Sequence, residues 1–362
     1  MVRKFNFNPG PGVLPFSVLQ KVQAEFTDYR GVGMSIVEMS HRSKEFEAIL
    51  AHVKQNFKDI LGIPEGYEII FVGGGASLQF AMIPMNFLGK DQVADYVNTG
   101  EWARRAIKEA KLFGKVHVAG DTESDNYTHL PSELVFSSNA QYLHLTSNNT
   151  IFGTQWPSYP ETGNVPLIVD MSSDFMSRKV DVKKYAMIYA GAQKNIGPAG
   201  VTAVIIRKDM LDKVVNREIP TMMQYKTHVE NNSLYNTPPV FSIYMVDLVT
   251  EWIKEMGGLQ KIEEMNDKKA KMIYDIMDSM PDFYKGTVTQ KEHRSKMNIT
   301  FRLPSEDLEK KFEKEATAKN LFGLKGHRSV GGMRASVYNA FPIEGVEELC
   351  KFMKEFAANN RK

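Results

Sequence analysis

One lysine stands among small residues in Tyr189-Ala190-Gly191-Ala192-Gln193-Lys194-Asn195-Ile196-Gly197-Pro198-Ala199-Gly200, just where an apolar run gives way to a tight turn. The apolar runs on either side, residues 187–189 and 201–206, are typical of β-strands. Enclosure or a nearby cation lowers the pKa of a lysine amine and lets it form a Schiff base with an aldehyde. Lys194 is therefore a candidate for covalent chemistry, and a solvated lysine at the end of a strand is the common alternative.

Strand-like runs alternate with helical patterns on both sides of this stretch. The predicted strands cover residues 67–72, 93–97, 116–118, 142–145, 167–170, 187–189 and 201–206. Helices are predicted over residues 15–29, 46–61, 78–88 and 102–113. Such alternation predicts an α/β fold with a mainly parallel sheet flanked by helices.

The pattern changes after residue 250. One long helix is predicted over residues 250–280, ending near Pro281, and it is followed by a strand at 297–303, a charged helix at 306–319, a strand at 333–338 and an amphipathic helix from Gly345. We expect a large domain over residues 16–260 and a smaller α/β domain built from residues 1–15 and 261–362, because a chain of 362 residues exceeds the usual size of a single core.

Charge and cysteine content exclude several classes of protein. The 45 basic and 43 acidic residues leave a formal net charge of +2, which gives no broad attraction to nucleic acid or to an anionic membrane. Cys350 is the only cysteine, so an intrachain disulfide and a thiolate metal cluster are excluded. With neither a signal-peptide core at the N-terminus nor an apolar run long enough to span a membrane, the sequence predicts a cytoplasmic location.

Three further features are suited to a flat, phosphorylated aldehyde such as pyridoxal phosphate. Gly73-Gly74-Gly75-Ala76-Ser77 follows a strand and opens a helix, where free amides and the helix dipole attract phosphate. Asp170 ends a buried strand and could pair with a pyridinium nitrogen. Trp102 begins a helix after a strand and could stack on a ring. Taken singly, each has an ordinary alternative: a chain turn, a capping aspartate or a packed indole.

Two His-Arg dipeptides, His41-Arg42 and His327-Arg328, lie in loop or helix-start contexts. Arginine offers a planar fork to carboxylate or phosphate, and a neighbouring histidine adds a donor, so the pairs indicate receptors for a small dianionic substrate. Surface salt bridging is the alternative for either pair alone. No His/Asp/Glu cluster has ligand spacing, so no metal is predicted.

Several segments together resemble the phosphoserine aminotransferase family, a group of class-V aminotransferases that depend on pyridoxal 5'-phosphate. They are the lysine segment, Asn6-Phe7-Asn8-Pro9-Gly10-Pro11-Gly12-Val13-Leu14-Pro15, Ser40-His41-Arg42, Asn236-Thr237-Pro238-Pro239 and Gly326-His327-Arg328-Ser329-Val330-Gly331-Gly332-Met333-Arg334. The resemblance covers nearly the whole chain. It implies the aspartate aminotransferase fold (fold type I), a homodimer with shared active sites, and transfer of an amino group from glutamate to 3-phosphohydroxypyruvate.

The resemblance also implies roles for individual residues. Lys194 would bind the cofactor covalently, Asp170 would meet the ring nitrogen, Trp102 would stack on the ring and Thr150 would contact the ring oxygen. The resemblance implies that the cofactor phosphate is bound by Ala76, Ser77 and Gln193, together with Asn236 and Thr237 from the other subunit. The substrate phosphate would be bound by His327 and Arg328, together with His41 and Arg42 from the neighbouring chain. Arg334 would bind the α-carboxylate of the substrate.

The chain departs from the family pattern at three positions. Pro9 stands where some relatives have a serine associated with the amino-acid substrate, and proline offers neither a hydroxyl nor a backbone donor. Asn149 and Phe152, on either side of Thr150, also differ from the usual forms. These departures put the glutamate contact and the Thr150 assignment in question.

Two other functions remain open from the residues alone. A sulfur-handling lyase needs a reactive cysteine on an active-site loop, whereas Cys350 lies in an amphipathic helix pattern that indicates a packed thiol. A non-catalytic binding module could use the glycine-rich loop and the His-Arg pairs without covalent chemistry. Use of 4-phosphohydroxythreonine as an additional substrate also stays open.

Overall fold

The computed structural model describes residues 3–361. Its helices are α1 Phe16–Glu25, α2 Lys44–Leu61, α3 Gly75–Phe87, α4 Glu101–Ala110, α5 Tyr225–Glu230, α6 Val240–Glu255, α7 Gly258–Ser279, α8 Glu306–Ala318 and α9 Ile343–Asn360. Its strands are β1 Phe5–Asn6, β2 Tyr67–Val72, β3 Val93–Asn98, β4 Lys115–Asp121, β5 Leu143–Thr146, β6 Leu167–Asp170, β7 Met187–Gly191, β8 Thr202–Arg207, β9 Lys285–Gly286, β10 Asn298–Arg302, β11 Leu321–Phe322 and β12 Met333–Ser336.

Seven strands form the main sheet in the order β2-β8-β7-β6-β5-β3-β4. Strand β8 runs antiparallel to both of its neighbours, and the pairs β7-β6, β6-β5, β5-β3 and β3-β4 are parallel. Every residue of β5, β6 and β7 is buried, as expected for parallel strands covered on both faces. The predicted α/β fold with a mainly parallel sheet is therefore confirmed.

The parallel strands bring distant residues to one edge of the sheet. Thr146, at the end of β5, is paired with Asp170, at the end of β6, and Asp170 is paired with Tyr189 of β7. The chain segments that leave these strands consequently start side by side, and Lys194 lies in the segment that follows β7. Ligand sites of open α/β sheets form at this carboxyl edge.

Helix α2 shows how local sequence sets the bounds of an element. The Ser43 hydroxyl accepts a hydrogen bond from the Phe46 amide at 3.2 Å, which caps the first turn, and Gly62 ends the helix with a φ of 63°. Buried apolar residues recur at helical spacing between these caps: Phe46, Ile49, Leu50, Val53, Phe57 and Leu61. The helix start thereby fixes the position of the preceding dipeptide His41-Arg42.

Apolar side chains form separate cores for the main sheet and for the C-terminal part of the chain. Leu259 and Ile262 belong to a core of the main sheet, while Ala270 and Ile273, further along α7, belong to the C-terminal core. Phe7 also lies in the C-terminal core and is fully buried there. We propose domains of residues 16–260 and of residues 1–15 with 261–362, and the division between these cores supports the proposal.

The predicted single helix over residues 250–280 is wrong. Helix α6 ends at Glu255 and helix α7 begins at Gly258, because Gly257 and Gly258 adopt φ values of +96° and +76°. Backbone in this left-handed region is open to glycine and interrupts the helix. The apolar periodicity continues across the break, which is why the pattern alone suggests one helix.

Among the described residues, no helix is both long enough and apolar enough to cross a membrane.

An aromatic cluster in the C-terminal core gives a test of its contribution to stability. Phe312 is fully buried, and its ring lies edge-on to that of Phe301, with 5.9 Å between the ring centroids. Phe312→Ala is expected to lower the free energy of unfolding by about 3–5 kcal/mol in urea titrations, because a large cavity replaces the ring. Phe322, 43% exposed, is the control, and Phe322→Ala is expected to change that free energy by about 0.5 kcal/mol or less. Equal losses in the two variants would contradict the placement of this core.

Candidate active site

The Lys194 amine is held by two hydroxyl groups. Its Nζ atom donates hydrogen bonds to Thr150 Oγ1 at 2.8 Å and to Ser173 Oγ at 2.7 Å. Burial and, to a smaller extent, the Arg334 guanidinium lower the pKa of this lysine to about 8, although the Asp170 and Asp174 carboxylates oppose the change. An appreciable fraction of the amine is therefore neutral near physiological pH and able to act as a nucleophile or base.

Asp170 lies at the end of β6 and is only 4% exposed. Its Oδ1 atom accepts a hydrogen bond from the Ser172 backbone amide at 2.9 Å. Burial raises the pKa of this carboxyl, while the Ser172 hydrogen bond and the Lys194 charge lower it. A buried carboxylate at this place favours a cationic partner such as a protonated pyridine nitrogen.

A cavity of about 370 Å³ opens beside the lysine. Six of the predicted site residues line it: Trp102, Thr150, Gln193, Lys194, His327 and Arg334. The Lys194 Nζ atom lies 5.9 Å from the centroid of the Trp102 ring, so a flat molecule joined to this amine would lie near the indole. The Trp102 Nε1 and Arg334 Nε atoms are buried without a hydrogen-bond partner among residues 3–361, which leaves polar groups for a ligand.

Asn149 joins the Thr150 loop to the start of α4. Its Nδ2 atom donates to the Thr99 carbonyl, and its Oδ1 atom accepts from the Ile151 amide at 3.1 Å and from the Phe152 amide at 3.2 Å. Gly100, with a φ of +150°, makes the approach feasible, because a Cβ atom there would come within 2.0 Å of Asn149 Nδ2. The departure from the family pattern at Asn149 thus has a structural role in placing Thr150 relative to Trp102.

Two segments of the C-terminal part close the other wall. Arg334, on β12, donates from Nη1 to the Thr150 carbonyl at 3.0 Å, and burial lowers its pKa. The Tyr338 hydroxyl donates to the Pro9 carbonyl at 2.5 Å, and the Gly12 amide donates to the Gln193 carbonyl at 2.7 Å. Pro9 also lines the cavity, and its carbonyl is occupied by the Tyr338 hydroxyl.

The glycine-rich segment provides the start of a helix at the cavity. Gly75 lines the cavity and begins α3, with a φ of +69°. Ala76 and Ser77 follow in the first helical turn, where backbone amides have no partner within the helix. Within the part of the chain that the structure describes, no side chain caps this helix, so the amides are available to an anion such as a phosphate.

Eight predicted site residues do not line the lysine cavity of this chain: Ala76, Ser77, Asp170, Arg328, His41, Arg42, Asn236 and Thr237. Asn236 and Thr237 are exposed and line a different cavity of about 380 Å³, together with Gly73 and Gly200. His41, half-buried, and Arg42, exposed, lie before α2 and line neither cavity.

The second His-Arg pair lies at the mouth of the lysine cavity. His327 lines it, and its Nδ1 atom is 2.6 Å from the Ser329 hydroxyl. Arg328 is exposed and lines an adjoining cavity of about 500 Å³, which His327 also borders. Burial lowers the pKa of His327, and the Arg334 and Arg328 charges add to the effect. The imidazole is consequently mostly neutral near pH 7, and an anion bound beside it would favour its charged form.

Sequence reasoning missed Ser173 and Asn195. Ser173 contacts the Lys194 amine directly, and Asn195 donates from Nδ2 to the Ser173 carbonyl at 3.0 Å. The available signal was position: Ser172 and Ser173 follow the strand that ends in Asp170, so they leave the same edge of the sheet as the lysine.

Comparisons with known proteins agree with this geometry. The model of the family "Aminotransferase class-V" matches residues 4–349. A curated phosphoserine aminotransferase from Herpetosiphon aurantiacus is 56% identical to this chain, over 98% of each sequence. One from Halalkalibacterium halodurans is 53% identical, over 100% of each sequence.

Solved structures are similarly close. A phosphoserine aminotransferase from Bacillus circulans subsp. alkalophilus superposes with a TM-score of 0.96 at 54% identity, covering 99% of both chains. A phosphoserine aminotransferase from Trichomonas vaginalis, solved with pyridoxal phosphate bound, superposes with a TM-score of 0.92. It is 40% identical over 97% of this chain and 100% of that chain. An aspartate aminotransferase from Thermus thermophilus superposes with a TM-score of 0.77. It is only 14% identical, over 98% of this chain and 99% of that chain, so this likeness confirms the expected fold alone.

The hydroxyl contacts of Lys194 lead to a test by titration. Reductive methylation of the protein without added cofactor, followed by peptide mass spectrometry, is expected to label Lys194 with a midpoint near pH 8. In Ser173→Ala the midpoint moves to lower pH, because a lost acceptor destabilises the ammonium, and labelling at pH 7 rises roughly fivefold.

Ser242→Ala is the control, since the Ser242 hydroxyl donates to the Ala199 carbonyl at 3.2 Å and has no hydrogen bond to the lysine. Its labelling midpoint should equal that of the unchanged protein. A midpoint near pH 10 in the unchanged protein would contradict the enclosure of this amine.

Proposed function

The chain belongs to the class-V aminotransferase family, and from this premise we propose that it transfers the amino group of L-glutamate to 3-phosphohydroxypyruvate, giving O-phospho-L-serine and 2-oxoglutarate in serine biosynthesis. Its cofactor is pyridoxal 5'-phosphate. The curated relatives named phosphoserine aminotransferase support this reaction, since they match at 50–56% identity over nearly the whole chain. The observation that carries the proposal is the enclosed Lys194 amine beside Asp170 and Trp102.

The donor set fits the cofactor. Lys194 would hold its aldehyde carbon, Asp170 its ring nitrogen, Trp102 its ring face and Thr150 its ring oxygen. The phosphate would be held by Ala76 and Ser77 at the start of α3, where amides are free, and by Gln193 from the segment after β7. When bound, pyridoxal phosphate supplies an electron sink for the negative charge that develops at the substrate Cα atom.

Lys194 moves the proton in both halves of the exchange. Its neutral amine accepts the Cα proton of glutamate, and in the second half it delivers a proton to the Cα atom of the new amino acid. A base tethered beside the reacting carbon gains from proximity, and a pKa of about 8 lies close to the working pH. The hydroxyls of Thr150 and Ser173 hold the free amine at the cavity through hydrogen bonds.

Arg334 and the His327-Arg328 pair would divide the anionic groups of the substrate. Arg334 is buried at the cavity and offers an unpaired Nε atom to the α-carboxylate. His327 and Arg328 lie further out and would take the phosphate of one substrate or the γ-carboxylate of the other. One site thus serves both substrates, since each carries two anionic ends.

A homodimer would supply the residues that one chain leaves outside its cavity. His41, Arg42, Asn236 and Thr237 are predicted to act across the subunit boundary. Exposed apolar residues flank both segments, and a second copy would cover them: Phe26, Val32, Met34, Val37 and Tyr235. We also place the protein in the cytoplasm, because its single cysteine suits a reducing compartment.

Removal of the amine tests the reaction. Lys194→Ala is expected to abolish transamination, since both the covalent anchor and the base are lost, while the circular dichroism spectrum stays unchanged. Lys208→Ala is the control, because Lys208 is an exposed lysine paired with Glu68 at 3.0 Å. Turnover by Lys194→Ala within about tenfold of the unchanged protein would refute the assignment.

The two arginines give a test of substrate recognition. Arg328→Ala should raise KM for 3-phosphohydroxypyruvate about 10- to 100-fold, because a charge-assisted contact to phosphate is lost, and should affect glutamate less. Arg334→Ala should harm both substrates, since both carry an α-carboxylate.

Lys310→Ala is the matched control for charge alone, because Lys310 lines the same outer cavity as Arg328. It should leave both KM values nearly unchanged. Equal losses for both substrates in both arginine variants would count against this division of roles.

A further inference from the structure

A buried lysine outside the catalytic cavity holds four carbonyl groups. Lys269, on α7, is 1% exposed. Its Nζ atom lies within hydrogen-bond distance of four carbonyl oxygens, which share its three N–H groups: those of Val337 at 3.0 Å, Tyr338 at 2.6 Å, Asn339 at 3.3 Å and Phe341 at 3.2 Å. All four belong to the segment 337–341, which connects β12 to α9 and is called the carbonyl loop here. Buried carbonyls need donors, so one ammonium group fixes the course of this loop.

The carbonyl loop leads directly to the active-site lysine. The Asn339 amide donates to Asn195 Oδ1 at 3.0 Å, and Asn195 Nδ2 donates to the Ser173 carbonyl at 3.0 Å. Ser173 Oγ in turn accepts the 2.7 Å hydrogen bond from Lys194. Asn195 also follows Lys194 in the chain, so the Asn339 contact acts on the lysine backbone and on its hydroxyl partner together.

A second branch of the carbonyl loop reaches the opposite wall. The Tyr338 hydroxyl donates to the Pro9 carbonyl at 2.5 Å and accepts from Asn298 Nδ2 at 3.1 Å. The Tyr338 ring also packs against Gly12, where a Cβ atom would come within 2.8 Å of it. The N-terminal segment that lines the cavity therefore rests on the residue whose carbonyl makes the shortest bond to Lys269.

Helix α7 holds the same loop at a second point. Asn266, one turn before Lys269, donates from Nδ2 to Asn339 Oδ1 at 2.8 Å. Burial lowers the pKa of Lys269 to about 7, and the four carbonyl dipoles favour its charged form. A buried amine of this kind is costly when its only effect is stability, because a packed apolar side chain would avoid the desolvation.

We propose that Lys269 is a positioning residue for the reaction: its amine holds the carbonyl loop so that Asn339 orients Asn195 and Ser173 around the Lys194 amine. This inference rests on the proposed function of Lys194. It assigns to Lys269 no contact with substrate or cofactor, and its effect passes through the loop alone.

Lys269→Met tests the proposal with two readouts. Transamination should show a kcat lower by about 10²-fold with KM values changed much less, because a small displacement of a base costs rate rather than affinity. In the protein without cofactor, the pH midpoint of Lys194 methylation should shift from that of the unchanged protein. Amide hydrogen exchange of residues 337–341 should also quicken.

Rescue separates positioning from folding. Lys269→Ala removes the amine and leaves space among the four carbonyls, so methylammonium in the buffer should restore part of kcat and return the methylation midpoint towards its original value. Lys269→Arg should retain more activity than Lys269→Met. These variants decide the question even when Lys269→Met fails to fold.

Tyr284→Phe is the matched control for stability. Tyr284 is buried in the same C-terminal core, and its hydroxyl donates to the Met353 carbonyl at 2.7 Å, away from the carbonyl loop. It should lower Tm without changing kcat or the methylation midpoint. Folded Lys269 variants with unchanged kcat and an unchanged midpoint would overturn the proposal, as would an activity loss that simply follows Tm in all variants. The methylation readout needs no turnover, so it tests Lys269 even when the proposed reaction is absent.

Discussion

The two hydrogen bonds between the Lys194 amine and the hydroxyls of Thr150 and Ser173 are the interaction on which the rest of this site depends. Each hydroxyl reaches the amine from a segment that leaves a different parallel strand, Thr150 after β5 and Ser173 after β6, while the lysine itself follows β7. The three strands are adjacent in the sheet and buried, so the segments that leave their ends start side by side. Enclosure at this edge then lowers the pKa of the amine to about 8 and makes it useful for chemistry.

The C-terminal part of the chain completes the site through a buried charge and through hydrogen bonds. Arg334 brings a buried positive charge to the cavity from β12, and that charge also keeps the lysine pKa low. The connection after β12 carries Tyr338 and Asn339, which meet the N-terminal segment and the residue next to Lys194. Chemistry at the sheet edge is thus coupled to packing in the second core, and α7 is the element that passes between the two cores.

Much of the fold could be predicted from the sequence because its signals are local. Strands β2 and β6 match the predicted residues 67–72 and 167–170, since apolar residues with high β-propensity dominate each run. Features set by distant partners could not be predicted. Strand β1 exists only because Phe5 pairs with Leu321, and the break between α6 and α7 depends on the backbone angles of Gly257 and Gly258.

The candidate site divides in the same way. Asp170 stands out because it ends an apolar strand and Lys194 because it closely follows one, and the structure places both at the sheet edge. Ser173 has only the signal of its position after β6, and Asn195 and Asn149 have none, because a serine or asparagine in a loop gains its role from what packs against it.

Borohydride treatment of the protein saturated with pyridoxal phosphate, followed by peptide mapping, tests the central claim most directly. The visible absorption band is expected to disappear, and the reduced cofactor is expected on the peptide that contains Lys194. A label confined to any other lysine, or a cofactor that leaves freely on gel filtration after reduction, would contradict it.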